Sequence, residues 1–557
     1  MKMYTDCDSS RVLVIGLDGA TLDLALPWMQ QGYLPNLKRL VENGKAAQLQ
    51  SVLPVISAAA WVTFMTGVNP GKHGVYDFVT RAPHSYKLIP TSRRDIRVPT
   101  LWQLLSNHGR RVFVMNVPLT YPPEPVNGIM ISGLGTPNLK TFTNPPELSD
   151  TLSKQGYRVN RRIFYSKQDK DGFLKDSQEL IVHITNTACE FLAQNRWDFA
   201  MVVYRETDDV PHGFWHDMDP THPKHVPGSR YQHVIRDTYQ ALDQAIGKLL
   251  NAAGPETNVF VVSDHGFGPL YKDVFLNEWL RQKGYLKMKS AYQAKSLVGK
   301  LGITRNNISR VLRGMGLMSV ERWIKDILGD KIGILPQDKW PDFHAGIDWE
   351  HTLAYSRGFQ GQIFINLKGR DPQGVVPIDD YNRLRDALIN DLHTLRDPED
   401  GQPVISKIYT REMLYDGEYI SSAPDLVLVM RDLAYTTRLG YELGQQPGQI
   451  FGESRVGETG GHRQNGLLIA SGPDLNSAHN LAPDVWLGDL APTILHLLNC
   501  PVPDWMDGTV QLEWLSPSVA SREIIYTTES LNAPSNNAMT ETESEEMMQR
   551  LRDLGYL

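Results

Sequence analysis

The chain is poor in cysteine, in long apolar runs and in clustered positive charge. Its three cysteines, Cys7, Cys189 and Cys500, are scattered through 557 residues without CxxC spacing. They offer neither a thiolate metal site nor a disulfide framework, and they point to a reducing, cytoplasmic setting. No apolar run approaches the ~18 residues of a membrane span. The polar stretch Met1 to Ser10 lacks the apolar region of a secretory signal. Lysine and arginine total 56 against 63 acidic residues, a formal net charge of −7, with no basic cluster. That balance argues against a nucleic-acid surface. What remains is ordinary globular composition, 41% hydrophobic and 21% charged, in a chain long enough for a large core and two or three structural units.

Short β-branched runs recur at Arg11–Leu17, Val112–Val117, Phe199–Tyr204, Asn258–Ser263, Gln362–Leu367, Asp425–Met430 and Gly466–Ala470. Helical patterns lie between them. Leu34 to Gly44 carries a proline near its start and a glycine at its end, the usual helix asymmetry. Tyr231 to Ala253 is apolar at roughly helical period. The alternation predicts an α/β fold with a largely parallel sheet covered on both faces. Residues 285–345 are rich in Lys and Arg with helical period and no strand pattern. They read as a helical insertion, either a cap over a site or a solvated face. The α/β pattern resumes from Gly346. Beyond about Leu515 the chain is polar (Glu529 to Glu545) and reads as a flexible tail, 516–557, ending in a short amphipathic helix over Met547 to Leu557.

Two of the apolar runs stop at an acidic residue: Gly16-Leu17-Asp18-Gly19, and Ser263-Asp264-His265-Gly266. In an α/β protein the residue after a buried strand faces the crevice outside the sheet's carboxyl edge. Asp264 and His265 reach one ion together only if the strand has already turned, since neighbours on a strand point to opposite faces. A third run, Phe199–Tyr204, leads into Glu206-Thr207-Asp208-Asp209-Val210-Pro211-His212. Asp208 and His212 are one helical turn apart, with Asp209 and His216 as competitors. Ser57 opens a strong helix-forming run, Ala58 to Gly67. It reads as an N-cap, and equally as a hydroxyl at the positive end of a helix, where phosphate binds. In Gly460-Gly461-His462-Arg463, a histidine beside two glycines suits a ligand on a close-approaching loop, or a surface turn. Together Asp18, Ser57, Asp208, His212, Asp264, His265 and His462 form a hard-oxygen and imidazole set without thiolate. Such a set suits zinc, with manganese as the alternative, and divides between two divalent ions.

In this order the motifs resemble the alkaline phosphatase superfamily, and within it the type I phosphodiesterase/nucleotide pyrophosphatase branch. The resemblance rests on Gly16–Gly19, the Ser57…Thr66-Gly67 helix, Pro70-Gly71-Lys72-His73-Gly74, Asp208…His212, Ser263–Gly266, Gly461-His462 and Asp489-Leu490-Ala491-Pro492-Thr493. It implies an alkaline-phosphatase-like three-layer sandwich with a mostly parallel central sheet and a helical insertion. The catalytic core would be discontinuous, 11–284 and 346–515. One ion would be held by Asp208, His212 and His462, the other by Asp18, Asp264, His265 and the Ser57 hydroxyl. Ser57 would be the nucleophile, passing through a phosphoserine, on a small-molecule phosphate ester. The branch carries an Asn to steady the phosphoryl oxygens where this chain has Phe78. Arg463 and Arg205 are the substitute donors that the sequence offers. Ala59 and Trp61 stand where a sulfatase needs Pro-x-Arg, and Ala20 stands where a haloacid-dehalogenase-type phosphatase needs its second Asp. The alternatives are a phosphomutase of the cofactor-independent phosphoglycerate mutase type, for which the insertion's Arg305, Arg310, Arg313 and Arg322 would serve, or a silent metal-binding scaffold.

Overall fold

Arg11–Leu17 lies at the middle of a nine-stranded sheet, flanked in parallel by Phe199–Tyr204 and Thr257–Val262. The computed structural model describes residues 10–553 apart from 138–140, 167, 290–345, 439–442, 444–447, 454–456, 478–483 and 529–538. Across the sheet the order is Val485–Trp486, Lys45–Gln50, Asn465–Ser471, Thr257–Val262, Arg11–Leu17, Phe199–Tyr204, Val112–Met115, Gly128–Ile131 and Thr143–Asn144. Only Asn465–Ser471 and Thr143–Asn144 run against the others. The central strands are buried along their whole length, which is why they read as continuous apolar runs.

Alternate residues of each strand feed opposite layers. Val12 and Val14 pack with Ala58, Trp61 and Phe64 of the Ser57–Thr66 helix on one face. Leu13, Ile15 and Leu17 pack on the other with Ile181 and Ile184 of Lys170–Gln194 and with Leu242 and Ile246 of Val234–Ala253. The result is the three-layer α/β sandwich, with a mostly parallel sheet, that the sequence predicts.

Two of the seven expected strands go elsewhere. Gln362–Ile365 and Leu426–Met430 join Ala354–Ser356 and Ile405–Thr410 in a separate, antiparallel four-stranded sheet. This sheet has its own core, with Leu388 and Leu392 of the Ile378–Leu392 helix and Trp279 and Leu280 of Leu276–Gln282. A short apolar run announces a strand but not its sheet: the α/β pattern does resume from Gly346, but these two strands do not join the largely parallel sheet. Residues 290–345, most of the expected insertion, lie outside the described residues. The chain leaves and re-enters at one place, where Lys289 N–H donates to the Gly346 carbonyl at 3.0 Å. The described parts of 516–557, read from composition as a flexible tail, are tied to the body. Val519, Met547 and Leu551 are buried, and the Tyr121 hydroxyl donates to Glu543 at 2.8 Å. The closing helix spans Glu541–Asp553, earlier than expected.

Candidate active site

The carboxyl ends of the three central strands deliver three carboxylates to one crevice. Asp18 follows Arg11–Leu17, and Asp264 and His265 follow Thr257–Val262. Asp208 and His212 lie on Glu206–Met218, the helix that begins after Phe199–Tyr204. All three carboxylates are at most 2% exposed. The strand ends are stitched together: the Gly19 N–H donates to Asp264 Oδ1 at 3.2 Å, and the Thr207 hydroxyl to the Asp18 carbonyl at 2.7 Å.

Ser57 is not the helix cap. Ile56 occupies that position with extended backbone and no side-chain capping bond, and Ser57 is the first helical residue. Its hydroxyl lies 3.3 Å from Asp18 Oδ1 and 3.1 Å from His265 Nε2. Trp61, one turn later on the same face, donates its indole N–H to Asp18 Oδ2 at 3.0 Å. Gly16 makes this fit, because a Cβ there would stand 2.8 Å from the Trp61 ring.

His462 comes from a strand, not a loop. Gly460–Arg463 pairs antiparallel with Gly266–Pro269, placing His462 opposite Phe267. A Cβ at Gly460 would stand 2.5 Å from the Pro211 carbonyl, so this residue must be small for the strand pair to close on the Asp208 helix.

Each histidine has one ring nitrogen against a backbone carbonyl: His462 Nδ1 on Val55 at 2.8 Å, His212 Nδ1 on Gly460 at 3.0 Å, and His265 Nδ1 on Gly266 at 3.0 Å. A carbonyl only accepts, so each Nδ1 carries a proton and, in the neutral ring, each Nε2 carries a lone pair. Those lone pairs face acceptors. His212 and His462 Nε2 are 3.3 Å apart, and each is 3.3 Å from Asp208 Oδ1. His265 Nε2 is 3.5 Å from both Asp18 Oδ1 and Asp264 Oδ2. Asp208 Oδ1 and Asp264 Oδ2 are buried with no hydrogen-bond donor. Gly19 N–H, the Trp61 indole and the Ser57 hydroxyl are too few donors for this crowd of acceptors, which repels itself unless cations or protons stand among them, so the set fits metal ions. Asp208, His265 and His462, and Asp18, Asp264 and His265, each present ligand atoms within 4.8 Å of one another.

The electrostatics agree. Burial pushes Asp18 up to about 7, helped by the charge of Asp208. Burial, then Asp18 and Asp208, drives Asp264 well above the carboxylate range. Asp208 stays well below it: burial opposes its charge, but His212 and His462 outweigh burial. Burial also opposes charge on His212, which Asp208 nevertheless lifts to about 9, so that a proton can stand in for a cation. His265, buried and next to His462, is pushed down to about 3.

The competitors separate cleanly. Asp209 pairs with Arg161 and, at 2.9 Å, with Arg205. His216 Nδ1 lies 2.9 Å from the Thr459 hydroxyl. The two arginines expected to steady a phosphoryl group are engaged elsewhere. The Arg463 guanidinium donates to the carbonyls of Leu433 at 2.9 Å, His462 at 2.8 Å and Pro269. Phe78 is a core residue, 1% exposed. The cavity beside Asp208, His212 and His462 is walled by Arg161, Tyr165, Phe359, Gln360, Arg438 and Glu458, among others. Sequence reasoning found none of these six. They come from four separate segments, and no local pattern marks them.

The fold is that of the alkaline phosphatase superfamily, hydrolases that act on phosphoric esters and phosphonates. Within it, the chain belongs to the type I phosphodiesterase / nucleotide pyrophosphatase family, whose sequence profile matches residues 12–444. Among solved structures it is similar to phosphonoacetate hydrolase from Sinorhizobium meliloti 1021 in complex with phosphonoformate. That match has 14% identity and a TM-score of 0.52, over 88% of this chain and 96% of that one. It is also similar to an inactive variant of murine ectonucleotide pyrophosphatase / phosphodiesterase 5 in complex with AMP, with 14% identity and a TM-score of 0.50, over 91% of this chain and all of that one. At such identities the likeness is one of fold. No curated protein matches the chain. Among the described residues no helix is long and apolar enough to cross a membrane.

Proposed function

We propose that the chain is a two-metal phosphohydrolase that cleaves a small phosphate ester, mono- or diester, with Ser57 as nucleophile. The observation that carries this reading is the Ser57 hydroxyl, held between Asp18 and His265 at the first turn of a buried helix. Asp208, His212 and His462 would hold one ion, and Asp18, Asp264, His265 and Ser57 the other. Zinc suits imidazole and carboxylate without thiolate. When bound, such a pair supplies charge for the attacking and leaving oxygens of an in-line displacement.

The chain's own groups do the rest. Asp18 and His265 orient Ser57 Oγ toward phosphorus, and beside the cation they would hold the hydroxyl has a lowered pKa, so that its proton passes to water. Oγ attacks, the ester oxygen leaves, and a phosphoserine forms. Water then cleaves it and restores the hydroxyl. The free N–H groups at the start of the Ser57 helix face the transferred group. The ester's organic part would lie along Tyr165, Phe359 and Leu433 in the adjoining cavity. Arg438 there is neutralised by Asp273 and Glu458, which favours an organic part without a second strong charge. Among the described residues Cys189 and Cys500 are free thiols, consistent with a cytoplasmic setting, which we retain as part of the proposal.

Acid quenching of the zinc-loaded chain during turnover of bis(p-nitrophenyl) phosphate, followed by peptide mass spectrometry, tests the reading. Phosphate on Ser57 is expected. Turnover with no trapped phosphoserine, together with more than a few per cent activity in Ser57→Ala, would contradict it.

A further inference from the structure

Gln360 belongs to the antiparallel sheet's side of the molecule, far in sequence from every candidate ligand except by folding. It is 6% exposed and lies in the turn Arg357–Gly361, ahead of the Gln362–Ile365 strand. Its backbone is left-handed, φ 59°, between Gly358 at 88° and Gly361 at 68°. A non-glycine residue there is disfavoured, so the surroundings must impose the conformation. Several contacts do so. The Thr437 hydroxyl accepts from Gly361 N–H at 2.9 Å and donates to the Gly358 carbonyl at 2.8 Å. Buried Asp77 accepts from Phe359 N–H at 3.3 Å and from the Gln362 side chain at 3.0 Å.

The turn delivers the Gln360 amide onto one residue, Val55. Oε1 accepts the Val55 N–H at 2.6 Å, and Nε2 donates to the Val55 carbonyl at 2.9 Å. With both backbone groups of Val55 engaged, the amide orientation is unambiguous. Val55 stands two residues before Ser57. Its carbonyl is also the acceptor that fixes Nδ1–H of His462, at 2.8 Å, and so turns His462 Nε2 toward Asp208 and His212. One peptide thus sets both the approach to the candidate nucleophile and the tautomer of a candidate ligand.

We propose that Gln360 is a positioning residue of the active site, clamping Val55 so that His462 and Ser57 are held in register by the second sheet. The inference rests on the two-metal reading above. Fixing the far nitrogen of a metal-binding histidine is worth about 10–100-fold in metal affinity, and the same order is expected here although Gln360 acts one bond further out.

The test compares full-length wild type, Gln360→Met and Gln360→Glu. Met keeps the length without donor or acceptor. Glu keeps the acceptor for Val55 N–H but sets a carboxylate against the Val55 carbonyl. Zinc release to a chromophoric chelator, kcat and KM for bis(p-nitrophenyl) phosphate, and the thermal unfolding transition are read on each. Wild type should release two zinc equivalents in a tight range. Both variants should unfold cooperatively, give up one equivalent at least about tenfold more readily, and lose kcat by more than KM changes. Folded variants with wild-type zinc release overturn the inference, as does a rise in KM with kcat intact, which would leave Gln360 only a cavity wall. Failure of both variants to fold also overturns it, assigning Gln360 to packing between the sheets. A wild type that holds no zinc would remove the underlying two-metal reading, a result distinct from these.

Discussion

The two sides of the crevice are built by different means. On the side of the nine-stranded sheet, each reactive group except His462 sits at the end of a strand or on the first turns of the helix after it, so its position follows from backbone topology. On the other side, Phe359 and Gln360 hang from a turn of the antiparallel sheet and Arg438 follows Tyr435–Thr436 of a small three-stranded sheet, all placed by tertiary contacts alone. The first side concentrates charge that needs cations. On the second, Arg438 bonds both Asp273 oxygens at 3.0 Å and Glu458 at 2.6 Å, already in balance. The difference assigns chemistry to the parallel sheet and shape to its neighbour.

Substitutions on the two sides should therefore fail in different ways. The largest effect is expected at Ser57→Ala. Loss of a nucleophile in a covalent mechanism costs on the order of 10⁴–10⁶ in kcat, with bound zinc nearly unchanged because the other ligands of that ion remain. Steady-state kinetics with elemental analysis checks both halves. Asp264→Asn comes next. Activity should drop by about 10³, and zinc should leave on mild dialysis. The metal-stripped variant should nevertheless unfold at a higher temperature than stripped wild type, since wild-type Asp264 must take up a proton to fold among its neighbouring carboxylates and the amide need not. If the stripped variant is the less stable one, the crowding is not what holds the site poised for cations.

On the other side, Arg438→Met takes the guanidinium away from buried Asp273 and half-buried Glu458. A loss of about 3–5 kcal/mol in denaturant unfolding is expected, with zinc retained. Zinc loss equal to that of Asp264→Asn would erase the distinction between the two sides.

The smallest effect concerns His73, from the Pro70–Gly74 motif. Burial pushes it down to about 3. It accepts Val75 N–H at Nδ1, 3.1 Å, and meets Thr63 through Nε2, 3.0 Å. Between about pH 6.5 and 3 the unfolded chain binds a proton that the folded chain refuses. Its contribution is therefore fully present above about 6.5 and is lost as pH falls, by up to about 1.4 kcal/mol per pH unit. Unfolding titrations of metal-stripped protein between pH 7 and 5 should show a shallower acid slope in His73→Gln.

How much could be read beforehand follows the same division. Asp18, Asp264 and Asp208 were legible because a buried strand that stops at an acid has few structural reasons to do so. His462 was legible as a residue but not as part of a strand, because Gly460–Arg463 finds its partner only in Gly266–Pro269. Ser57 looked like a cap because serine before an alanine run usually is one; the cap is Ile56. Arg463 and Arg205 were proposed for their neighbours in sequence, yet a guanidinium reaches far enough to be consumed by carbonyls or a carboxylate off the site. Gln360, Arg161 and Arg438 were invisible, since nothing in a glutamine or arginine announces the peptide or acid it will meet. The polarity of 516–557 reads as a flexible tail, yet among its described residues a narrow face of the thirteen-residue closing helix, Glu543, Met547 and Leu551, is enough to hold that helix down.

The central claim is that seven side chains from distant segments enclose a pair of cations. Anomalous scattering at the zinc edge, from crystals of the zinc-loaded full chain, addresses it directly. Two peaks about 4 Å apart are predicted, one among Asp208, His212 and His462, the other among Asp18, Asp264, His265 and Ser57. A single ion in the crevice, or none, in protein shown to be active would contradict it.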